Sequence, residues 1–424
     1  MKLVVKRSHL KGEVRIPSSK SQTIRALIIG TLADGESEIK NPLESSDAFA
    51  CVKMCRAFGA KIEMKKNWIV KGLGGKLEIP KNIIDIRNSG TSCRLGLGMA
   101  SLCSGHTVFT GDEQTRQRPM QPLIDALNNL GASVFSTQSN GRLPVVIQGR
   151  LKGGNTEVEG VTSQFLSSLL IASPLAKRDS KITVLNLNEK PYVEMTLSWL
   201  DKMGIEYKNK DFKEFKIKGG QSYRAFQEEI SGDFSSATFF FCAGVLTGSD
   251  ILVTGLSMDD SQGDKNVIPL LNDIGAKIDA KPDGIEIKGG TKLKSREIDL
   301  NSMPDALPAL AVLACFAEGE TVLKNVPQAR IKETDRIAVM KMELEKMGAD
   351  IEEMPDGLRI KNSRLKGTKV DGHSDHRVVM SLAVAGMMAE GVTEISTAEA
   401  VNITFPDFIK LMKSLGADMS LTGD

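Results

Sequence analysis

The sequence predicts an α/β protein of two domains, built from six copies of one unit of about 70 residues. Three observations carry this expectation. An apolar-periodic helix ending in glycine recurs at Phe58-Gly59-Ala60, Leu130-Gly131-Ala132, Met203-Gly204-Ile205, Ile274-Gly275-Ala276, Met347-Gly348-Ala349 and Leu415-Gly416-Ala417, so the glycines lie 72, 73, 71, 73 and 68 residues apart. A second series, at nearly the same spacing, sets a polar opening before a very apolar helix. With 424 residues the chain also exceeds one ordinary domain, which assigns three units to each half.

The openings, in order, are Pro17-Ser18-Ser19-Lys20, Asn88-Ser89-Gly90-Thr91, Thr162-Ser163-Gln164, Gly232-Asp233-Phe234-Ser235, Met303-Pro304-Asp305 and Ser374-Asp375-His376-Arg377. Each offers an N-cap to a helix too hydrophobic for a surface, such as Ala306 to Phe316 or Val378 to Met388. The six glycines suit the left-handed residue that closes a helix. A strand, a polar turn and a second strand follow five of them, as from Lys277 to Gly289 around Pro282-Asp283-Gly284. The sixth unit runs out after Asp418, so the N-terminal strand Lys2 to Val5 is expected to complete it. The domains are then residues 13–232 and a discontinuous pair of segments, 1–12 and 233–424, with chain crossings near Glu13 to Ser18 and Ser231 to Asp233.

Charge narrows the function. Lys plus Arg (55) nearly cancels Asp plus Glu (53), a net charge of +2 that argues against a nucleic-acid footprint. Basic sites must be local and aimed at a small anion. The start, Met1-Lys-Leu-Val-Val-Lys-Arg, lacks a signal-peptide core, and no 18-residue apolar run follows, so a cytoplasmic protein with no membrane partner is expected. The six cysteines include no Cys-x-x-Cys pair and read as reduced core thiols; Cys51 and Cys55, four apart on a helix, suit packing better than metal.

The stretch Arg330-Ile-Lys-Glu-Thr-Asp-Arg-Ile337 crowds five charged side chains just after Pro327. On a helix, Glu333 and Arg336 are neighbours and Lys332 shares a face with Arg336, a cation pair that an anionic ligand relieves. A surface helix start with acidic residues in its first turn is the competing reading. Other charged residues lie at or near the helix openings: Lys20, Arg25, Arg94, Arg118 and Arg377, with Asp305 and Asp375. If the apolar helices run parallel within each domain, their N-termini converge into an anion trap. The guanidinium fork suits carboxylate and phosphate, so a substrate with several negative charges is expected, held in the cleft between the domains. Asn88-Ser89-Gly90-Thr91 is similar to a phosphate-cradling turn, although such loops are common; no Gly-x-x-x-x-Gly-Lys-[Ser/Thr] occurs, which removes a P-loop. His373, Asp375 and His376 leave a metal site open on residue type alone, and core packing is the plainer reading.

Two stretches are highly specific together: Asp85-Ile-Arg-Asn-Ser-Gly-Thr-Ser-Cys-Arg94 and Arg330-Ile-Lys-Glu-Thr-Asp-Arg336. With Pro17 to Arg25, Arg116 to Met120, Thr162 to Leu166, Lys190-Pro191-Tyr192, Pro304-Asp305 and Asp375-His-Arg377 in register, the chain resembles the EPSP synthase (3-phosphoshikimate 1-carboxyvinyltransferase) family along essentially its whole length. The resemblance implies two inverse α/β barrels of three repeats each. It also implies transfer of the enolpyruvyl group of phosphoenolpyruvate to the 5-hydroxyl of shikimate 3-phosphate, with release of phosphate and with neither cofactor nor metal. By the same resemblance Lys20, Ser21, Arg25, Thr162, Ser163, Gln164, Tyr192, Asp305, Gln328 and Lys332 hold shikimate 3-phosphate. Lys20, Gly90, Arg118, Gln164, Arg336 and Arg377 hold phosphoenolpyruvate. Asp305 takes the hydroxyl proton, and Glu333 and Lys20 serve proton transfer at carbon, so Glu333 must at times carry a proton although Lys332 and Arg336 favour its charged form. Small-molecule partners, a monomer and domain closure on the ligands follow.

Three residues depart from the family pattern. Ile403 stands where a lysine usually precedes the Thr404-Phe405-Pro406 run, Gln328 where Asn or His is common, and Glu189 where a serine often binds the shikimate phosphate. Losing a cation should weaken phosphoenolpyruvate binding, with no evident reason for Lys410 to substitute, and Glu189 repels a phosphate unless it points away. Gly90 leaves room beside phosphoenolpyruvate, which implies sensitivity to the inhibitor glyphosate. The alternatives are the sister transferase acting on UDP-N-acetylglucosamine, disfavoured by Ser21 after Lys20, an anion-binding protein without activity, and a nucleic-acid end-modifying enzyme of related fold.

Overall fold

The computed structural model describes residues 1–423. The chain divides into two compact units, Ser18–Ile230 and Met1–Pro17 together with the chain from Ser231 onward. Residues 13–17 and 231–232, expected in the first domain, fall in the second unit. The strand Gly12–Arg15 pairs in parallel with Ile251–Thr254, and that ladder ties the segment up to Pro17 to the second unit.

Each unit carries three four-stranded sheets of one design. A strand that follows an apolar helix takes a parallel neighbour on one side and the second strand of a hairpin, antiparallel, on the other. In the unit Ser18–Ile230, Gly154–Glu159 lies parallel to Ser180–Leu185, which pairs with Glu214–Ile217, itself paired with Tyr207–Lys210. The parallel neighbour of Glu36–Lys40 is Gln227–Glu229, so the end of the unit returns to close its first sheet. The sixth sheet uses the N-terminus, as expected: Lys2–Lys6 pairs antiparallel with both Val392–Ser396 and Met419–Thr422. Strands from chain positions so far apart close each unit, which is why the second domain is discontinuous.

The apolar helices form the centre of each unit. Lys20–Leu32, Gly90–Ala100 and Ser163–Ala172 pack in one, Phe234–Leu246, Leu307–Ala314 and His376–Met388 in the other. Every residue of Leu307–Ala314 is buried, which explains a helix apolar all round. The more amphipathic helices, such as Gln121–Asn129 and Lys190–Lys202, lie outside them and end at the predicted glycines. Gly59, Gly131, Gly204, Gly275, Gly348 and Gly416 all have φ between 70° and 106°, the left-handed region in which a side chain is strained.

Five of the six openings cap their helices as predicted, through Ser19, Ser89, Thr162, Asp233 and Asp375. Such a cap is worth about 1 kcal/mol. Asp305 is the exception: it lies in the turn Pro304–Ala306, makes no cap, and spends its carboxylate elsewhere.

Candidate functional site

In the second unit the three apolar helices bring their N-termini to one place. Arg377, in the first turn of His376–Met388, donates through Nη2 to Ser235 Oγ at 2.8 Å and lies 3.0 Å from Asp305 Oδ2. Side chains from the openings of all three helices therefore meet. Arg336, the first residue of the helix Arg336–Lys346, is 1% exposed and faces three carboxylates: Asp305 at 2.8 Å, Glu333 at 2.6 Å and Asp375 at 2.8 Å. Burial by itself lowers the Arg336 guanidinium, but Asp375, Glu333 and Asp305 together hold it above its ordinary value. Burial likewise raises Asp375, and the Arg336 contact overcomes it, leaving that carboxyl below its usual range.

The charged run around Arg336 is not one helix. Pro327–Ile331 is a 3-10 turn, Lys332 has φ −82° and ψ −143°, and the α-helix begins only at Arg336 with Asp335 as its cap. Lys332 and Arg336 therefore do not share a helix face. Arg330 braces the turn by binding Asp335 at 2.7 Å, Glu353 at 2.9 Å and the carbonyls of Pro355 and Met354. The buried Gln328 donates to the carbonyl of Asn301 at 3.1 Å, while its Oε1 has no hydrogen-bond partner among the described residues.

In the unit Ser18–Ile230 a second set of openings converges. Arg94 donates to Gln164 Oε1 at 2.7 Å, and Gln164 Nε2 donates to Thr91 at 3.1 Å, which joins the first turns of Gly90–Ala100 and Ser163–Ala172. Arg118 donates to Asn88 at 3.1 Å, and a Cβ at Gly90 would stand 2.5 Å from Arg118 Nη1. Lys20 lies 3.3 Å from the buried Asp47. Arg25 is buried, with all three guanidinium nitrogens engaged: Thr196 Oγ1 at 2.9 Å, the Ser21 carbonyl at 3.0 Å and the Tyr192 carbonyl at 2.9 Å. Burial pushes its pKa down to about 10, against the influence of Tyr192. Thr162 and Ser163 turn their hydroxyls to one oxygen of Glu189, which points into the opening rather than away from it.

These clusters, arginine-rich and built at helix starts, are suited to organic phosphates and carboxylates. A profile of EPSP synthase (3-phosphoshikimate 1-carboxyvinyltransferase) matches residues 4–412. The chain belongs to the EPSP synthase family. A 3-phosphoshikimate 1-carboxyvinyltransferase of Acetivibrio thermocellus is 57% identical over 421 residues, 99% of each chain. One of Methanocaldococcus jannaschii is 44% identical over 427 residues, again 99% of each. A solved EPSP synthase of Acinetobacter baumannii superposes with a TM-score of 0.83 at 28% identity, covering all of both chains. The two units described above are accordingly the two inverse α/β barrels of the EPSP synthase fold.

Asp47, Asn88 and Ser235, which position Lys20, Arg118 and Arg377, are not among the candidate site residues of the sequence; Asp375, which holds Arg336, is singled out there only as a charged residue at a helix opening. Asn88, Ser235 and Asp375 stood in the predicted openings, so that signal was present. Nothing local connects Asp47 to Lys20, which is 27 positions earlier. His373 is turned toward the buried Glu343, at 2.8 Å, and among the described residues no group of three or more His, Cys, Asp or Glu is placed to hold a metal ion. Ile403 packs half-buried against the core of its unit, and Lys410 projects into solvent beside Asp407, 3.8 Å away. A cavity of about 910 Å³ around Asp201, Tyr207 and Lys216 contains none of the predicted site residues. No helix among the described residues is long and apolar enough to cross a membrane.

The Glu343–His373 pair makes a stability prediction. The hydrogen bond to Glu343 raises the His373 pKa above 6.5, against the opposing effect of burial. Burial raises Glu343, and its bonds to His373 and Lys346 overcome this and lower it below 4.5. His373 therefore contributes stability that is complete below 6.5 and lost as pH rises through its folded value; the Glu343 contribution is present above 4.5 and lost as pH falls through its lowered value. Thermal melts from pH 5 to 9 should show a decline on the alkaline side that His373→Gln flattens. An unchanged slope in that variant would remove the assignment.

Proposed function

We infer that the chain transfers the enolpyruvyl group of phosphoenolpyruvate to the 5-hydroxyl of shikimate 3-phosphate, giving 5-enolpyruvylshikimate 3-phosphate and phosphate. The observation that carries this is the group of Asp305, Glu333 and Asp375, linked through Arg336 and, at Asp305, also through Arg377, in a chain of this family. Addition of a hydroxyl across a C=C bond needs a base at oxygen and an acid at carbon, and elimination needs the reverse.

The assigned roles are these. Lys20, Ser21, Arg25, Thr162, Ser163, Gln164, Tyr192, Gln328 and Lys332 hold shikimate 3-phosphate, with Asp305 at its 5-hydroxyl. Arg118, Arg336 and Arg377, with Lys20, Gln164 and the space left at Gly90, hold phosphoenolpyruvate. Asp305 removes the hydroxyl proton as the oxygen attacks C2 of phosphoenolpyruvate, while Glu333 or Lys20 supplies a proton to C3. The resulting tetrahedral intermediate re-forms the C=C bond as phosphate leaves C2 and a proton returns from C3 to Glu333 or Lys20. These residues come from both units of the chain.

The contacts of Asp305 support a coupling between binding and catalysis. Asp305 is occupied by two arginines, at 2.8 and 3.0 Å. A phosphoenolpyruvate anion drawing Arg336 and Arg377 to itself frees the Asp305 carboxylate to accept the substrate proton.

Phosphate release from phosphoenolpyruvate tests the reading, with shikimate 3-phosphate as acceptor and UDP-N-acetylglucosamine as control. Release with the first alone is the expected result; release with neither abandons the transferase assignment. Ile403→Lys should lower KM for phosphoenolpyruvate by about tenfold, since one added charge-assisted contact is worth about 1.5 kcal/mol or more. An unchanged KM would mean the position lies out of reach of the ligand. Gly90→Ala should raise KM for phosphoenolpyruvate and weaken glyphosate inhibition of the enzyme, because the new methyl displaces Arg118; equal glyphosate inhibition in both forms would refute that placement. We also propose that the protein works as a cytoplasmic monomer, and that its partners are small anions rather than nucleic acid, the latter supported by its near-neutral charge.

A further inference from the structure

Glu189 stands immediately before the helix Lys190–Lys202 in a left-handed conformation, φ 56° and ψ 42°, and its side chain is 1% exposed. A buried carboxylate is costly unless its charge is met by donors. Here three donors converge on the single oxygen Oε2: Ser163 Oγ at 2.8 Å, Thr162 Oγ1 at 3.1 Å and the Ser163 backbone N–H at 3.2 Å. Two of them are hydroxyls and the third is the first N–H of the ten-residue helix Ser163–Ala172, whose positive end also faces that oxygen. This is the donor set that a phosphoryl oxygen requires.

We propose that the Glu189 carboxylate is a built-in stand-in for the substrate phosphate, holding the seat made by Thr162 and Ser163 until shikimate 3-phosphate displaces it. The inference rests on the assignment of Thr162 and Ser163 to that phosphate. Both anions cannot use these donors together, because the carboxylate already takes all three and the two negative charges repel at contact distance. Glu189 therefore competes with the phosphate from within the chain. Two properties follow. The empty seat stays ordered, its donors satisfied rather than left bare in a buried place. Affinity for shikimate 3-phosphate is reduced by the work of displacing Glu189, a reduction that shikimate without its phosphate does not experience.

The test compares the full-length protein with Glu189→Ser, Glu189→Gln and Ser163→Ala, titrating shikimate 3-phosphate and shikimate separately at one salt concentration, with thermal melting as the check on folding. Glu189→Ser should bind shikimate 3-phosphate at least tenfold more tightly, Glu189→Gln by a smaller factor, and both should bind shikimate as the parent does. KM for shikimate 3-phosphate should fall in the same order. Ser163→Ala should bind shikimate 3-phosphate more weakly. If Ser163→Ala weakens binding while both folded Glu189 variants bind no more tightly than the parent, the stand-in role is overturned and the phosphate seat survives. If Ser163→Ala leaves binding of shikimate 3-phosphate unchanged, the seat itself is misassigned and the proposal falls with it.

Discussion

Glu333→Gln should lower kcat by about a thousandfold, the middle of the range for removing a proton-transfer group, while phosphoenolpyruvate still binds in the presence of shikimate 3-phosphate. The amide preserves the size of the side chain and an oxygen for Arg336, which Glu333 now meets at 2.6 Å. It cannot give a proton to carbon or take one back. Loss confined to kcat identifies an interaction used in the chemical step, whereas a rise in KM at constant kcat would mean Glu333 only helps hold substrate. Single-turnover kinetics with a binding titration separates these cases, and near-normal turnover would end the proposed role.

Arg336→Met should destabilise the second unit by about 3–5 kcal/mol, the usual cost of removing one partner from a buried ionic group. Methionine fills much of the same volume, so cavity formation is a minor part of the loss. What remains is Asp375 with no exposure and Glu333 and Asp305 nearly enclosed, without the cation that joined them. The pH dependence gives a second check. In the parent, Asp375 is held low by Arg336, so its contribution is present above its unfolded pKa and is lost on acidification. In the variant, burial acts on Asp375 with no such opposition and raises it. That group then stabilises the fold below its unfolded value and loses the contribution as pH rises. The difference between variant and parent should therefore shrink on going from about pH 8 to about pH 5, and urea unfolding at both measures it. A destabilisation under about 1 kcal/mol, the same at both pH values, would show that Arg336 is not the centre of the cluster.

The site was legible to different depths at different residues. Lys20, Arg25, Arg118, Arg336 and Arg377 were visible because charge beside an apolar helix start is conspicuous, and three of them sat in long specific motifs. Their partners were not. Asp47 reaches Lys20, and Thr196 reaches Arg25, through packing between helices that no spacing rule reports. The run from Arg330 to Ile337 misled by its pattern. Local periodicity suggested one helix with Lys332 and Arg336 on the same face, but the helix starts where Asp335 caps it, and the preceding residues turn to bring Glu333 back onto Arg336. Asp305 looked like one more N-cap. A cap is worth about 1 kcal/mol, and the two arginines offered that carboxylate a stronger partnership than a backbone N–H. Glu189 departs from the family pattern in the sequence, and only the folded chain reveals that it turns inward.

The sequence by itself determined the repeat, the glycine helix ends, five of the six caps and the family. These depend on interactions within a few residues: a glycine accepting a left-handed conformation, a serine or aspartate capping the next turn, an apolar face of fixed period. The closing of the sixth sheet by Lys2–Lys6 was also within its reach, because a missing strand at one end of a repeat matched a spare strand at the other. Only the tertiary structure decided which carboxylate faces which guanidinium, that Arg336 answers three of them, and that Glu189 occupies the donors of Thr162 and Ser163. Apart from Glu333 and Arg336, those pairings join positions tens of residues apart, and charge acts through space: its partner is set by where the packed helices leave it, not by its neighbours in the chain.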